Sequence, residues 1–393
     1  MDNLQKNVIS IITAALTNNP SILSENFDLA AGINIAKKHN ILNIFYEGAI
    51  KSGISSNEPL LLALYNDLVK NVVIDLHQTS AAKILMDIFE SEGIDYLPLK
   101  GLILKPLYPK TEMRTMGDAD ILIKIEQYPK IESILEKNGY TFKYESDHEL
   151  VWTCSSLFLE LHKSVMTSYN KDFYGYFGTG WSLAQRISDG SSRYEFKNED
   201  FYIYIFVHFT KHYRISGIGI KHILDLWVYK EAYPDMDWKY IIKILKQLHL
   251  YEFHSNILNV LNVWFNNKAS DEKSDFITNV IFSSGQYGTF EMTNVNRAIR
   301  DSKNTGSIQK TKIKNFIATL FPSVSTLEKE YSVLKRLRIL LPIIWVVRWF
   351  KIIIFKRKDI KHFVNNMKSI DEKTVNEHYS ALQYVGLDFN FGE

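Results

Sequence analysis

What this chain has little of excludes several classes at once. Cys154 is its only cysteine, so no internal disulfide can form, and a reducing compartment such as the cytoplasm is expected. The opening Met1-Asp2-Asn3-Leu4-Gln5-Lys6 lacks the basic-then-apolar layout of a signal peptide. Net charge is only +2, which gives no global reason to expect a nucleic-acid partner. The aromatic residues (Tyr 22, Phe 23, Trp 7) are scattered and form no stacking platform, so no specific nucleic acid is indicated. There is no repeat at solenoid period and no long low-complexity segment. The longest apolar run, residues 337–355, is interrupted by Pro342, Arg348 and Lys351, which argues against a transmembrane span.

What is present suits a globular enzyme-sized chain. With 393 residues and 46% hydrophobic content, two or three domains with sizeable cores can form. Residues 1–75 read as a helical segment, with Ile9, Ile12, Ala15 and Leu16 at helical spacing and breaks at Pro20 and over 56–59. Another helix pattern runs from about Leu76 to Ser91 and stops at Gly93. Residues 76–187 alternate. Strands are predicted over 96–99, 119–125, 140–144, 150–153 and 157–162, and helices over 102–108 and 128–138. That is an α/β core with a mixed sheet inside an α+β chain flanked by N-terminal and C-terminal helical segments. The loop over 188–193 bounds the core. Residues 194–330 read as a C-terminal helical domain with exposed loops over 266–275 and 301–307, and residues 331–393 as a basic, aromatic-rich helical extension.

Gly117-Asp118-Ala119-Asp120-Ile121-Leu122-Ile123-Lys124 is the most informative stretch. Side chains alternate along a strand, so Asp118 and Asp120 share one face while Ala119, Ile121 and Ile123 take the other. Their Cα atoms would lie about 7 Å apart. Two like charges that close are costly unless a cation bridges them, and Mg²⁺ or Mn²⁺ takes such hard oxygen ligands. Alone, a D-x-D is more often an acidic turn entering a strand. Its neighbours give it context. Upstream, Lys100-Gly101 follows a short strand and precedes an apolar helical turn, a junction whose backbone N–H groups can cradle phosphate. Arg114 adds a further anion contact. Downstream, Glu160 and His162 share one face of an apolar strand. A lone glutamate there is expensive to bury unpaired, and a third carboxylate beside Asp118 and Asp120 explains it.

This arrangement resembles the DNA polymerase β-like nucleotidyltransferase superfamily. More closely it is similar to a family of uncharacterised bacterial nucleotidyltransferases whose core reads L-K-G, R-x-x-G-D-x-D and E-L-H. Here these are Leu99-Lys100-Gly101, Arg114-Thr115-Met116-Gly117-Asp118-Ala119-Asp120 and Glu160-Leu161-His162. Weaker echoes extend to His208-Phe209-Thr210-Lys211-His212 and to residues 221–226. One departure is that Lys100-Gly101 replaces the superfamily's usual Gly-Ser or Gly-Gly. The resemblance implies a polymerase β-like core and a transferase that moves a nucleoside monophosphate from an NTP to a hydroxyl or phosphate acceptor. It implies Asp118, Asp120 and Glu160 as catalytic metal ligands for Mg²⁺ or Mn²⁺, and Lys100, Gly101, Arg114 and Gly117 as nucleotide contacts. The acceptor is not identified. A catalytically inactive nucleotide-binding relative, or a membrane-peripheral scaffold of a biosynthetic cluster, is the alternative.

Three further features stand out. His162 faces the same way as Glu160 and could touch the acceptor. His208 and His212, four apart on a predicted helix, lack the glutamate and cysteines of zinc motifs. They are expected to face the cleft or to bond Asp225, while Lys221 and Asp225 are spaced to pair. Between Lys329 and Lys361 ten Lys/Arg stand against two acids. With Trp345, Trp349 and Phe350, residues 335–358 suit a helix lying on anionic lipid.

Overall fold

The computed structural model describes residues 1–17, 19–168, 170–215, 217–285, 317, 320–327, 331–355 and 372–387. The chain divides into two compact units. One comprises Met1–Tyr213, Gly217–Tyr287 and Val385–Glu393, the other Arg214–Ser216 and Gly288–Tyr384.

The first unit opens with α1 (Asn3–Thr17), α2 (Leu29–Lys38), α3 (Leu42–Lys51), the short α4 (Pro59–Leu62) and the long α5 (Tyr65–Ser91). Asp28 starts α2 by accepting the Ala31 N–H, a satisfied N-cap. The helix expected from about Leu76 begins at Tyr65, because nothing between 65 and 76 breaks it. It stops where expected: Gly93 takes φ +65° and the Ile94 N–H closes back on the Phe89 carbonyl, a glycine-terminated end.

Next come β1 (Tyr96–Pro98), α6 (Gly101–Leu104), β2 (Ala119–Ile123), α7 (Tyr128–Lys137), β3 (Thr141–Glu145), β4 (Glu149–Thr153) and β5 (Phe158–His162). The helix predicted over 102–108 shortens to α6 plus a 3₁₀ turn over Lys105–Leu107, since Pro106 has no N–H to continue it. The five strands lie in the order β1-β2-β5-β4-β3. Only β2 and β5 run parallel, so the sheet is mixed. Alternation then sorts the residues. Ala119, Ile121, Ile123, Leu150, Trp152, Leu159 and Leu161 form one face, packed on Ala82, Leu85 and Phe89 of α5 and on Ile131, Ile134 and Leu135 of α7. Each fully buried Leu, Ile or Phe side chain among these contributes about 1.5–3 kcal/mol. Asp120, Glu149, Glu160 and His162 occupy the alternate positions, on the opposite face.

Beyond the sheet follow α8 (Lys171–Phe177) and an unforeseen hairpin, β6 (Ala184–Arg186) with β7 (Tyr194–Phe196). The loop over 188–193 is its turn, and the Tyr96 N–H donates to the Ser192 carbonyl, tying that turn to β1. The unit continues with α9 (Asn198–Ile215), α10 (Ile220–Ala232), α11 (Trp238–Gln247), α12 (Tyr251–Phe265) and α13 (Glu272–Ser284). Asp237 caps α11, and Asp271 with Ser274 forms a capping box on α13. His39, just after α2, joins distant helices: its Nε2 lies 3.1 Å from the Phe282 carbonyl and its Nδ1 accepts the Ile220 N–H. The segments 1–75, 76–187 and the described start of 194–330 thus share one unit, apart from the end of α9.

The second unit contains α14 (Val324–Leu327), α15 (Leu341–Phe355) and α16 (Glu372–Tyr384). Leu327, Leu334 and Ile344 form its small core. Trp345 and Trp349, expected at a lipid interface, donate their indole N–H groups to the Pro322 and Leu320 carbonyls and pack edge-on to Phe321. Ile339, Ile343, Val346 and Val347 are exposed. Among the described residues no helix is long and apolar enough to cross a membrane. Residues 301–307 and 356–358 lie outside the described residues.

Candidate active site

The chain leaves β1 through Lys100, a non-glycine residue at φ +41°. Such a backbone costs about 1–3 kcal/mol and persists only where its surroundings hold it. They do: the Leu99 N–H donates to the Asp120 carbonyl, and the N–H groups of Leu102, Ile103 and Leu104 close back onto Leu99 and Lys100. These last three amides are therefore engaged. Those of Lys100 and Gly101 have no partner among the described residues, which narrows the cradle expected at this junction. Gly101 sits in a crowded place: a Cβ there would meet Arg114 Nη1 and Met116 Sδ at 2.9 Å each, and those side chains would have to shift.

Asp120 and Glu160 are register partners on the parallel strands β2 and β5. Asp120 is 2% exposed, and its Oδ1 accepts from Lys100 Nζ at 2.5 Å and His162 Nε2 at 2.7 Å. His162 Nε2 also stands 3.7 Å from Glu160 Oε2. Ligand atoms of Asp120, Glu160 and His162 all lie within 4.8 Å of one another, close enough for one cation. Asp118 precedes β2 and is half-buried, and Gly117 is the exposed bend before it.

The charges sort these acids. Burial works against an Asp120 anion, but Lys100 and His162 hold its carboxyl well below the usual range. Burial and then the Asp120 charge raise Asp118. Glu160 is pushed up to about 8 by burial, then by Asp120 and Asp118. Burial disfavours the Lys100 ammonium, yet Asp120, Tyr204 and Asp118 together outweigh it and hold the group above its ordinary value. Two of the three carboxylates are thus uncomfortable as anions, and a cation relieves that crowding.

Arg114, expected at a phosphate, has another partner. Its Nε and Nη2 grip Asp225 of α10 at 2.7 and 2.9 Å, and the Tyr108 hydroxyl donates to the same carboxylate at 2.8 Å. The fork match makes this a strong bidentate pair. Asp225 is bonded here rather than by His208 or His212, and Lys221 Nζ points to the Thr115 carbonyl instead. Arg114 Nη1 occupies the space that a side chain at Gly101 would need.

His208 and His212 of α9 meet His222 of α10, with ring centroids 4.5–6.4 Å apart. Burial, followed by the Lys100 charge, keeps His208 well below its ordinary value, and burial followed by Lys211 lowers His212 to about 3. Both are neutral at physiological pH. Sequence reasoning left Lys211, Lys221 and His222 out of the site. Burial and then Arg114 lower Lys221 to about 8, with Asp225 and then Asp118 and Asp120 acting against that. Burial and then Lys100 lower Lys211, opposed by Glu149 and Glu160. The available signal was lysine in otherwise buried helix faces, where an unpaired ammonium is expensive.

The comparison with curated proteins and with solved structures finds no match for this chain. A match to a family model covers residues 25–266, more than half the chain and all the acids, lysines and histidines of this site. The chain belongs to that family, described as an uncharacterised nucleotidyltransferase.

Proposed function

We propose that this protein transfers a nucleoside monophosphate from an NTP to a hydroxyl or phosphate acceptor, with Asp118, Asp120 and Glu160 as ligands for Mg²⁺ or Mn²⁺. One observation carries the reading: Asp120 and Glu160 stand side by side on parallel strands, and the Asp120 charge adds to burial in raising the affinity of Asp118 and Glu160 for positive charge. Hard oxygen donors in that number fit magnesium. When bound, such a cation neutralises phosphate charge and aligns the nucleotide for in-line displacement.

The chain's own groups supply the rest. The Lys100 ammonium, now on Asp120, is placed to exchange that carboxylate for a phosphate when a cation takes Asp120. Lys211 and Lys221 add charge for the triphosphate. Glu160, a member of the same cluster, accepts the proton of the acceptor hydroxyl as its ionised carboxylate. That oxygen attacks the α-phosphorus, the bond to the β-phosphate oxygen breaks, and pyrophosphate leaves. His162 holds Asp120 in place through Nε2.

The test is calorimetry of ATP, GTP, CTP and UTP with Mg²⁺ or Mn²⁺, on the wild type and on the Asp118→Ala/Asp120→Ala variant. Metal-dependent binding by the wild type, lost in the variant, is expected. Absence of binding by the wild type under every condition would overturn the reading in favour of an inactive relative.

A further inference from the structure

On the polar face of the sheet, β5 has β2 on one side and β4 on the other. His162 reaches diagonally to Asp120, the register partner of Glu160, on the β2 side, and on the other side has Glu149, its own register partner on β4. His148 immediately precedes Glu149, and its ring centroid lies 6.0 Å from that of His162. Ligand atoms of His148, Glu149 and His162 all come within 4.8 Å of one another. None of the catalytic roles above uses His148 or Glu149.

The hydrogen bonds of the two imidazoles are one-sided in the same way. His162 is 4% exposed. Its Nε2 is engaged by Asp120, whereas Nδ1 is buried without a partner among the described residues. In His148, Nδ1 meets Asp147 Oδ1 at 3.2 Å and Ser146 Oγ at 3.3 Å, and Nε2 stands 3.3 Å from Glu149 Oε2. A histidine that ligates a metal characteristically gives its other ring nitrogen to a carboxylate, which fixes its tautomer and orientation. Both rings here have that outer partner, Asp120 for one and Asp147 for the other. The 3.3 Å separation of His148 Nε2 and Glu149 Oε2 also matches a tetrahedral edge: bonds of about 2.0–2.1 Å at the tetrahedral angle place two ligand atoms about 3.3 Å apart.

We propose that His148 Nε2, Glu149 and His162 Nδ1 form a second cation site for a zinc-class ion, separate from the all-carboxylate magnesium site and joined to it through the His162–Asp120 bond. Two imidazoles and one carboxylate favour zinc over magnesium, which prefers oxygen donors and keeps much of its water. A cation on Nδ1 obliges His162 to carry its proton on Nε2, where it donates to Asp120. Its role is to position Asp120. The site does not depend on the chain transferring nucleotides.

The experiment is zinc content and Co²⁺ absorption of the full-length protein, measured after dialysis against Zn²⁺ or Co²⁺ in excess Mg²⁺. The wild type should retain about one equivalent with a tetrahedral cobalt spectrum. His148→Ala and the isosteric Glu149→Gln should each weaken zinc at least roughly tenfold, while Asp118→Ala leaves it in place. Glu149→Gln decides the matter should His148→Ala fold poorly. The proposal is overturned if the wild type holds no zinc, if Glu149→Gln retains wild-type affinity, or if zinc is lost with Asp118→Ala. That last outcome would place the ion in the carboxylate site instead.

Discussion

Two buried polar clusters meet at the Lys100–Gly101 turn, and they are finished to different degrees. In one, Arg114, Tyr108 and Asp225 satisfy each other: the guanidinium fork matches both carboxylate oxygens and the phenol completes the set. In the other, Asp118, Asp120 and Glu160 crowd like charge into one place, two of them are raised as acids, and the neighbouring His162 leaves Nδ1 without a partner among the described residues. A polar group whose partners come from the chain is part of the architecture. A polar group held in place yet incomplete is arranged for something the chain does not contain. His39 belongs with the first kind, since both its nitrogens are bonded to backbone, and His162 with the second.

The sharpest way to break this comparison is thermodynamic. Arg114→Ala should cost about 3–5 kcal/mol in urea denaturation, because it strands Asp225 in the interior. Glu160→Gln, measured without metal, should stay within about 0.5 kcal/mol of wild type or stabilise. Equal losses would mean that the acidic cluster is structural after all.

A smaller effect follows from pH. Burial, only partly offset by the bond to the Phe282 carbonyl, lowers His39 from 6.5 to about 4. A depressed folded-state value means that the unfolded chain binds the proton first. The contribution of His39 is therefore complete above pH 6.5 and is lost as pH falls toward 4. The expected loss is on the order of 2–3 kcal/mol, and His39→Gln should flatten that part of the profile in chemical denaturation at successive pH values. An unchanged slope would remove His39 from the satisfied class.

The smallest effect concerns the second unit, where the openness is on the surface. Exposed Ile339, Ile343, Val346 and Val347 accompany Arg338 and Arg348, the chemistry of a helix that rests on anionic lipid. Co-sedimentation with phosphatidylserine vesicles should be weak, salt-sensitive and abolished by deleting residues 335–358, at about 1 kcal/mol per basic residue near the surface. Binding that survives the deletion would detach this property from the segment.

Much of the sheet was legible because alternation is a local signal. The facing of Asp120, Glu160 and His162, the buried run of β2 and the break at Gly93 all follow from residues within a few positions of one another. Partners distant in the chain were not. Nothing near Arg114 announces Asp225, 111 positions away, and Lys211 and Lys221 enter the site only through helix packing. His148 and Glu149 come to His162 by antiparallel register, which a sequence displays only once the strand order is known. The hairpin of β6 and β7 escaped because Ala184-Gln185-Arg186 and Tyr194-Glu195-Phe196 are too short and polar to show alternation. The short α6 traces to Pro106, a single residue that outweighs the apolar pattern around it.

Lys100 carries a consequence for anyone who engineers this protein. Its left-handed backbone would suit glycine better, but Lys100→Gly also strips the ammonium from buried Asp120, and the stranded carboxylate outweighs the relieved strain. A library sorted for thermal survival would therefore keep the lysine in its strained conformation, and would recover glycine here only together with a change that discharges Asp120, such as Asp120→Asn. That linkage would identify a backbone conformation held in place by a charge.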